Sequence, residues 1–179
     1  MKTSPILVVY YSRTGTTRRV ATELAALGGW DVEPVIDLKP RDGLIGYGRS
    51  LVDSILARTT QLAASRENPA DYDLVVVGTP VWSASISTPI RTWLEEHAGQ
   101  LPPLAFFATE NRRGAGRVFR QMASITGATP VLTLELTAND LRRGPLGPRL
   151  APLIAKVRVA VAAPRPVGPT VEPRPPTMH

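Results

Sequence analysis

Residues 8–20, VVYYSRTGTTRRV, pass from an apolar, β-branched run into four hydroxyl side chains and one glycine within six positions. The apolar run reads as a buried strand. Val20, Leu24 and Leu27, which follow at helical spacing, read as the inward stripe of a helix. A strand that turns directly into a helix leaves the first backbone N–H groups of that helix without partners, at the positive end of its dipole. A phosphate placed there would take amides from about Arg13 to Thr17 and hydroxyl hydrogen bonds from Ser12, Thr14 and Thr17. Gly15 permits the sharp turn and a close backbone approach. Simple N-capping would account for one hydroxyl, not three.

Four more β-branched, apolar runs follow the first strand, Ile6–Tyr10, at residues 32–36, 74–77, 104–108 and 131–136. The first, third and fourth runs are nearly continuous in apolar residues, the pattern of central parallel strands covered on both faces. Between the runs, GYGRSLVDSILART (46–59), STPIRTWLEEHA (87–98) and AGRVFRQMASITG (115–127) carry helical periodicity, the last closing on glycine. A final helix is expected from about Pro148 to Ala162, with prolines tolerated in its first turn. Five rounds of strand and helix predict a doubly wound α/β sheet, since parallel neighbours require right-handed helical crossovers.

The 179 residues suit one domain, expected over 1–163. Residues 164–179 carry six prolines and almost no large apolar side chain, so a disordered or polyproline-like tail is expected there. The chain has no cysteine, which excludes disulfides, thiolate nucleophiles and iron–sulfur clusters, and with two histidines a histidine-rich metal site is not expected. The N-terminus lacks a signal-peptide pattern and no apolar stretch is long enough for a bilayer, so a cytoplasmic protein without a membrane span is expected. The net charge of +6 comes from eighteen arginines and three lysines against fifteen acids. These arginines are spread along the chain. The densest group, Arg112, Arg113, Arg117 and Arg120, has no interleaved aromatic platform, so a solvated basic surface is the expectation and nucleic acid is not an expected partner.

In such a sheet the ligand crevice lies at the carboxyl ends of the strands, where strand order reverses. Three loops matter: YSRTGTT (11–17), GTPVWSASIS (78–87) and TENRRGAG (109–116). The first has no lysine of the G-x-x-x-x-G-K-S/T type, which disfavours a nucleoside triphosphatase. GAGRVF has Phe119 where a dinucleotide fingerprint needs its third glycine. No aspartate closes a central strand as a phospho-acceptor domain would require.

Ser12-Arg13-Thr14-Gly15-Thr16-Thr17 resembles the S/T-x-T-G-x-T phosphate loop of the flavodoxin family. YDLVVVGTPVWSASISTPIRTWLEE and LAFFATENRRGAGRVFRQM look like that family's third and fourth strands with their loops, so the resemblance spans about residues 5–162. It implies a flavodoxin-like sandwich whose five parallel strands run in the order 2-1-3-4-5. It implies one FMN, with its phosphate on Ser12, Arg13, Thr14, Gly15, Thr16 and Thr17. The ring would lie between Thr79, Pro80, Val81, Trp82 and Ser83 on one side and Thr109, Glu110, Asn111, Arg112 and Gly114 on the other. Trp82 falls where the family often stacks an aromatic on the ring, with rim packing as the competing reading. Trp30, Trp93 and a solvated His97 are expected to be structural. No catalytic side chain is expected, because the chemistry belongs to the flavin.

The third loop departs from the pattern: it offers no second aromatic and brings arginines where acids are usual. An open ring face would admit a nicotinamide or quinone. An arginine about 10 Å from the ring would also favour the anionic reduced flavin by on the order of 1 kcal/mol before screening. Three readings therefore stand: an FMN-dependent electron carrier meeting a redox partner protein, an NAD(P)H-dependent quinone reductase on the same scaffold, and a flavin-free binding or regulatory protein.

Overall fold

The computed structural model describes residues 4–38, 59–110 and 113–163. The expected helix at 46–59 (but for its last residue), the 39–50 segment and the proline-rich tail lie outside the described residues. Within them the chain runs β1 (Ile6–Tyr10), α1 (Thr16–Gly28), β2 (Asp31–Pro34), a 3-10 turn (Pro69–Asp71), β3 (Leu74–Trp82), β4 (Ser85–Ile86), α2 (Thr88–His97), β5 (Leu104–Glu110), α3 (Ala115–Thr126), β6 (Thr133–Thr137), α4 (Ala138–Arg142) and α5 (Gly147–Ala162).

The sheet order is β2-β1-β3-β5-β6, with the short β4 antiparallel to β3 and off that path. The expected count of five becomes six, and the expected order 2-1-3-4-5 shifts in numbering, because residues 85–86 form a strand of their own. All neighbours on the main path are parallel.

Alternation along the strands explains their continuous apolar character. Ile6, Val8 and Tyr10 with Val76 and Phe107 face a core filled by Val20 and Leu24 of α1 and Leu150, Leu153 and Val157 of α5. Leu7 and Val9 with Val75, Val77 and Phe106 face the opposite core, filled by Ile90, Trp93 and Leu94 of α2 and Val118 and Met122 of α3. Each fully buried leucine contributes roughly 1.5–3 kcal/mol, which makes these two faces the main stabilisation of the sheet. Gly78 sits opposite Phe107 in the sheet, and a Cβ there would run into the Phe107 ring.

Several boundaries differ from expectation. Leu27 belongs to the last turn of α1 and is 48% exposed, so the inward stripe ends at Leu24. β2 is an edge strand that stops at Pro34, leaving Val32 and Ile36 exposed. α4 arises from a capping box in which the Thr137 hydroxyl accepts from Asp140 N–H while the Asp140 side chain accepts from Thr137 N–H. α5 begins at Gly147 with proline in its first turn and carries Pro152 inside it. Among the described residues no helix is long and apolar enough to cross a membrane.

Candidate functional site

The three loops meet at the carboxyl edge of β1, β3 and β5, as the topology requires. α1 follows β1 after five residues and opens at Gly15, whose φ of 89° lies in the left-handed region. No side chain caps the N-terminus of α1, and its first turn carries no acid. Those N–H groups and the dipole behind them suit an anion. Ser12 Oγ accepts from Gly15 N–H at 3.1 Å, shaping the turn, and Thr14 and Thr16 place their hydroxyls 3.4 Å apart on the exposed side. Thr17 is buried, with its hydroxyl 2.8 Å from that of Thr109. The first loop is thereby tied to the end of β5.

The second loop is not the open loop expected from residues 78–87. β3 continues through Val81 and Trp82, then reverses in two residues so that Trp82 pairs with Ser85 and Val81 with Ile86. Ser83 (φ 49°) and Ala84 (φ 56°) both lie in the left-handed region, the geometry of a type I′ hairpin turn, which Asn-Gly fills more easily. Each such residue costs roughly 1–2 kcal/mol, so strain is concentrated where the ring is expected. The surroundings hold it there. Gln121 Oε1 accepts from Ile86 N–H at 2.9 Å, and the Thr79 and Ser87 hydroxyls are 2.9 Å apart. Thr79 is fully buried and turned into this bracing, whereas Pro80, Val81 and Trp82 are half-buried and Ser83 is exposed.

Trp82 joins the first loop to the hairpin. Its ring stands edge-on to Tyr11, with centroids 5.6 Å apart at 89°, and the Arg13 guanidinium lies 5.9 Å from its centroid. Trp82 is thus a partly exposed aromatic at the crevice, as a ring-stacking residue needs to be. Trp30 and Trp93 are buried packing residues. His97 differs from the solvated residue expected: it is half-buried, stacks on Trp93 at 4.5 Å, and its Nδ1–H donates to the Trp93 carbonyl at 2.8 Å. A cavity of about 300 Å³ lined by Trp93, His97, Glu33 and Arg66 shares no residue with the three loops.

Thr109 and Glu110 are the last two residues of β5 rather than loop residues, and both are buried. Asn111 and Arg112 lie outside the described residues. Arg113 is exposed, and Gly114 lies against the hairpin, where a Cβ would press on Val81 and on the backbone of Ala84. Glu110 Oε2 accepts from Ala115 N–H at 2.9 Å, which closes the third loop across its base. Burial, with a hydrogen bond to Glu135 and that group's charge, pushes the Glu110 carboxyl up to about 7, only partly offset by the Ala115 N–H.

The structure therefore brings together Ser12, Arg13, Thr14, Gly15, Thr16 and Thr17 with Thr109 and Trp82. It turns Thr79 inward. Tyr11, Gln121 and Glu135 were not expected at the site. Gln121 stands next to Met122 in the amphipathic pattern of α3, and a polar side chain beside the buried stripe was the available signal.

The fit to a flavin phosphate was tested on this geometry. The uncapped, acid-free helix start and the left-handed glycine match an anion, and the half-buried Trp82 matches a ring above it. A doubly wound sheet with such a carboxyl edge defines an α/β protein of the flavodoxin-like class. A flavodoxin family model matches residues 5–134, and the chain belongs to the flavodoxin family.

The fold is similar to that of a Bacteroides eggerthii protein classed as a flavoprotein, 25% identical, with 85% of this chain and 97% of that chain covered and a TM-score of 0.69. A flavoprotein from Lactobacillus acidophilus, solved in complex with FMN, is 21% identical, with 74% of this chain and 91% of that chain covered and a TM-score of 0.61. At that identity the likeness shows the fold alone. No curated protein sequence matches the chain.

Proposed function

We propose that this chain binds FMN non-covalently and acts as a redox protein that passes electrons through it. The observation that carries this reading is the start of α1, an uncapped N-terminus at a left-handed Gly15 with the Ser12, Thr14 and Thr17 hydroxyls around it. Membership in the flavodoxin family supports it. When bound, the flavin supplies one- and two-electron chemistry. The residues of the chain hold and orient. First-turn amides and hydroxyls take the phosphate, Trp82 presents a face to the ring, and the bond between Thr17 and Thr109 fixes the distance between phosphate loop and ring site. The Ser83-Ala84 turn and Gly114 shape the edge through which polar ring atoms meet backbone groups.

A second reading, an NAD(P)H-dependent quinone reductase, is favoured by the third loop, whose residues 109–116 include no aromatic to cover the outer ring face. The visible absorption spectrum of the purified protein, with and without added FMN, tests the first proposal. Flavin bands and saturable quenching of flavin fluorescence are expected. Colourless protein that fails to quench added FMN would overturn it in favour of a flavin-free protein. NADPH oxidation with a quinone, in the absence of any partner reductase, separates the second reading from a carrier.

A further inference from the structure

The charged residues are sorted by edge of the sheet. Long helices that follow parallel strands begin at the carboxyl edge and end at the amino edge, whereas the five-residue α4 stays near the edge where β6 ends, so sequence position assigns each charge to one side. Arg18 in the first turn of α1, Arg113 and Arg117 at the start of α3, and Arg142 and Arg143 at the end of α4 are all exposed at the carboxyl edge. None of these five makes an ion pair with a described carboxylate. Arg19 donates to the Leu141 carbonyl at 3.1 Å, which brings the start of α1 against α4.

Carboxylates at that edge are already engaged. Glu110 is buried and hydrogen-bonded with Glu135, an exposed carboxylate near the end of β6, Asp140 is held by Thr137 and Arg149, and Asp37, beyond β2, accepts from Thr60. The opposite edge is acidic. Asp31 opens β2, Glu67, Asp71 and Asp73 precede β3, and Glu95 and Glu96 close α2, with Arg66, Lys156 and Arg158 among the described cations on that side.

Strand spacing near 4.8 Å puts the loops after β1, β5 and β6 within about 14 Å of one another. That is nearly two Debye lengths at physiological salt but well inside the roughly 30 Å Debye length at 0.01 M, so at low ionic strength the five cations act on an approaching charge as one patch. The patch surrounds the crevice in which Trp82 stands.

We propose that the carboxyl edge is the docking face for an electron-transfer protein that presents carboxylates around its own prosthetic group. This rests on the redox reading of the site, under which a partner protein has to approach that crevice. A nucleic acid would also meet a basic patch. Here the patch is three loops wide and its aromatic, Trp82, is half-buried beneath Arg13, so no row of rings is offered for base stacking.

Titration of the full chain, with and without FMN, against an acidic [2Fe–2S] ferredoxin, basic cytochrome c and a 20-nucleotide single strand tests the proposal at 20 and 200 mM ionic strength. The ferredoxin is expected to bind at low salt and to weaken at least about tenfold at high salt, with cytochrome c not binding. Arg113→Glu with Arg117→Glu, and separately Arg142→Glu with Arg143→Glu, should each weaken the ferredoxin about tenfold while Arg66→Glu leaves it unchanged. Equal binding of both proteins, salt-independent binding, or tighter binding of the oligonucleotide than of the ferredoxin would overturn it. Failure to take up FMN would sink the flavin reading alone, since the titration of the flavin-free chain still reads the docking face.

Discussion

Glu110→Gln isolates one buried ionisation. In the folded chain the Glu110 carboxyl sits near 7, against an ordinary value of 4.5, because it is buried and shares a hydrogen bond with Glu135. A carboxyl raised on folding contributes stability that is fully present below 4.5 and is lost as pH rises through about 7. The difference between those values corresponds to at most ~3 kcal/mol. Glu135 is exposed, so water relieves part of the repulsion, and a loss of about 1–2 kcal/mol between pH 5 and pH 8 is the reasoned magnitude. Glutamine keeps the acceptor for Ala115 N–H and a donor for Glu135, and cannot ionise. Urea unfolding of both proteins at pH 5, 6.5 and 8 reads the effect. Near pH 5 they should be nearly equal. At pH 8 the glutamine protein should unfold at a midpoint higher by roughly 0.5–1 M, for a slope of about 2 kcal/mol/M. A difference that is the same at all three pH values, or a less stable glutamine protein at pH 8, would refute the shared-proton account of Glu110.

Five substitutions probe the scaffold and the loops. Gly78→Ala pushes a methyl into the Phe107 ring and should cost about 1–3 kcal/mol, seen as a thermal midpoint lower by several degrees. Ala84→Gly removes strain at φ 56° of roughly 1–2 kcal/mol against about 0.4–1 kcal/mol of added unfolded-chain entropy. The midpoint should rise by one to four degrees, and a fall would mean that the turn is not strained. Thr14→Ala and Thr17→Val should each weaken FMN about tenfold, whereas Thr16→Ala, at the variable position of the S/T-x-T-G-x-T pattern, should weaken it much less. Equal losses in a flavin-fluorescence titration would place the phosphate elsewhere.

The sheet was legible because its central strands are buried on both faces, so residues 6–10, 74–77 and 104–108 announce themselves as apolar runs whatever packs on them. Edge strands gave weaker signals: Val32 and Ile36 are apolar and yet exposed, and Leu136 is the single fully covered residue of β6. Strand ends were placed short at Val77 and Ala108. The polar Thr79, Thr109 and Glu110 look like loop residues, and their burial depends on partners beyond their own strands: Ser87 across the hairpin, Ala115 at the start of α3 and, 92 residues away, Thr17. No local pattern carries such pairings. The hairpin at Ser83-Ala84 was hidden for a related reason, since a type I′ turn normally advertises itself with Asn or Gly. Strand pairing and the bracing by Gln121, Gly114 and the Thr79–Ser87 contact hold these two residues in it.

The clustered hydroxyls of residues 12–17 are already engaged, which changes how they can bind. Gly15 N–H is given to Ser12 Oγ, whose own O–H stays available to donate, so an arriving phosphate that takes the Gly15 N–H exchanges one bond for another. A threonine hydroxyl has one donor. Thr17 can donate to a phosphate only when Thr109 supplies the proton between the two. Exchanges of this kind are worth about 0.5–1.5 kcal/mol each, whereas hydrogen bonds from helix amides to an anion are roughly twice as strong. On the proposed reading, affinity for a phosphate at this loop would therefore come chiefly from the backbone of α1 and its dipole, and the hydroxyls would set where the phosphate sits. The hydrogen bond of Thr17 to Thr109 carries that setting across to β5, whose next residue, Glu110, closes the third loop. The position of the phosphate and the shape of the ring site are thus coupled through two adjacent residues at the end of one central strand.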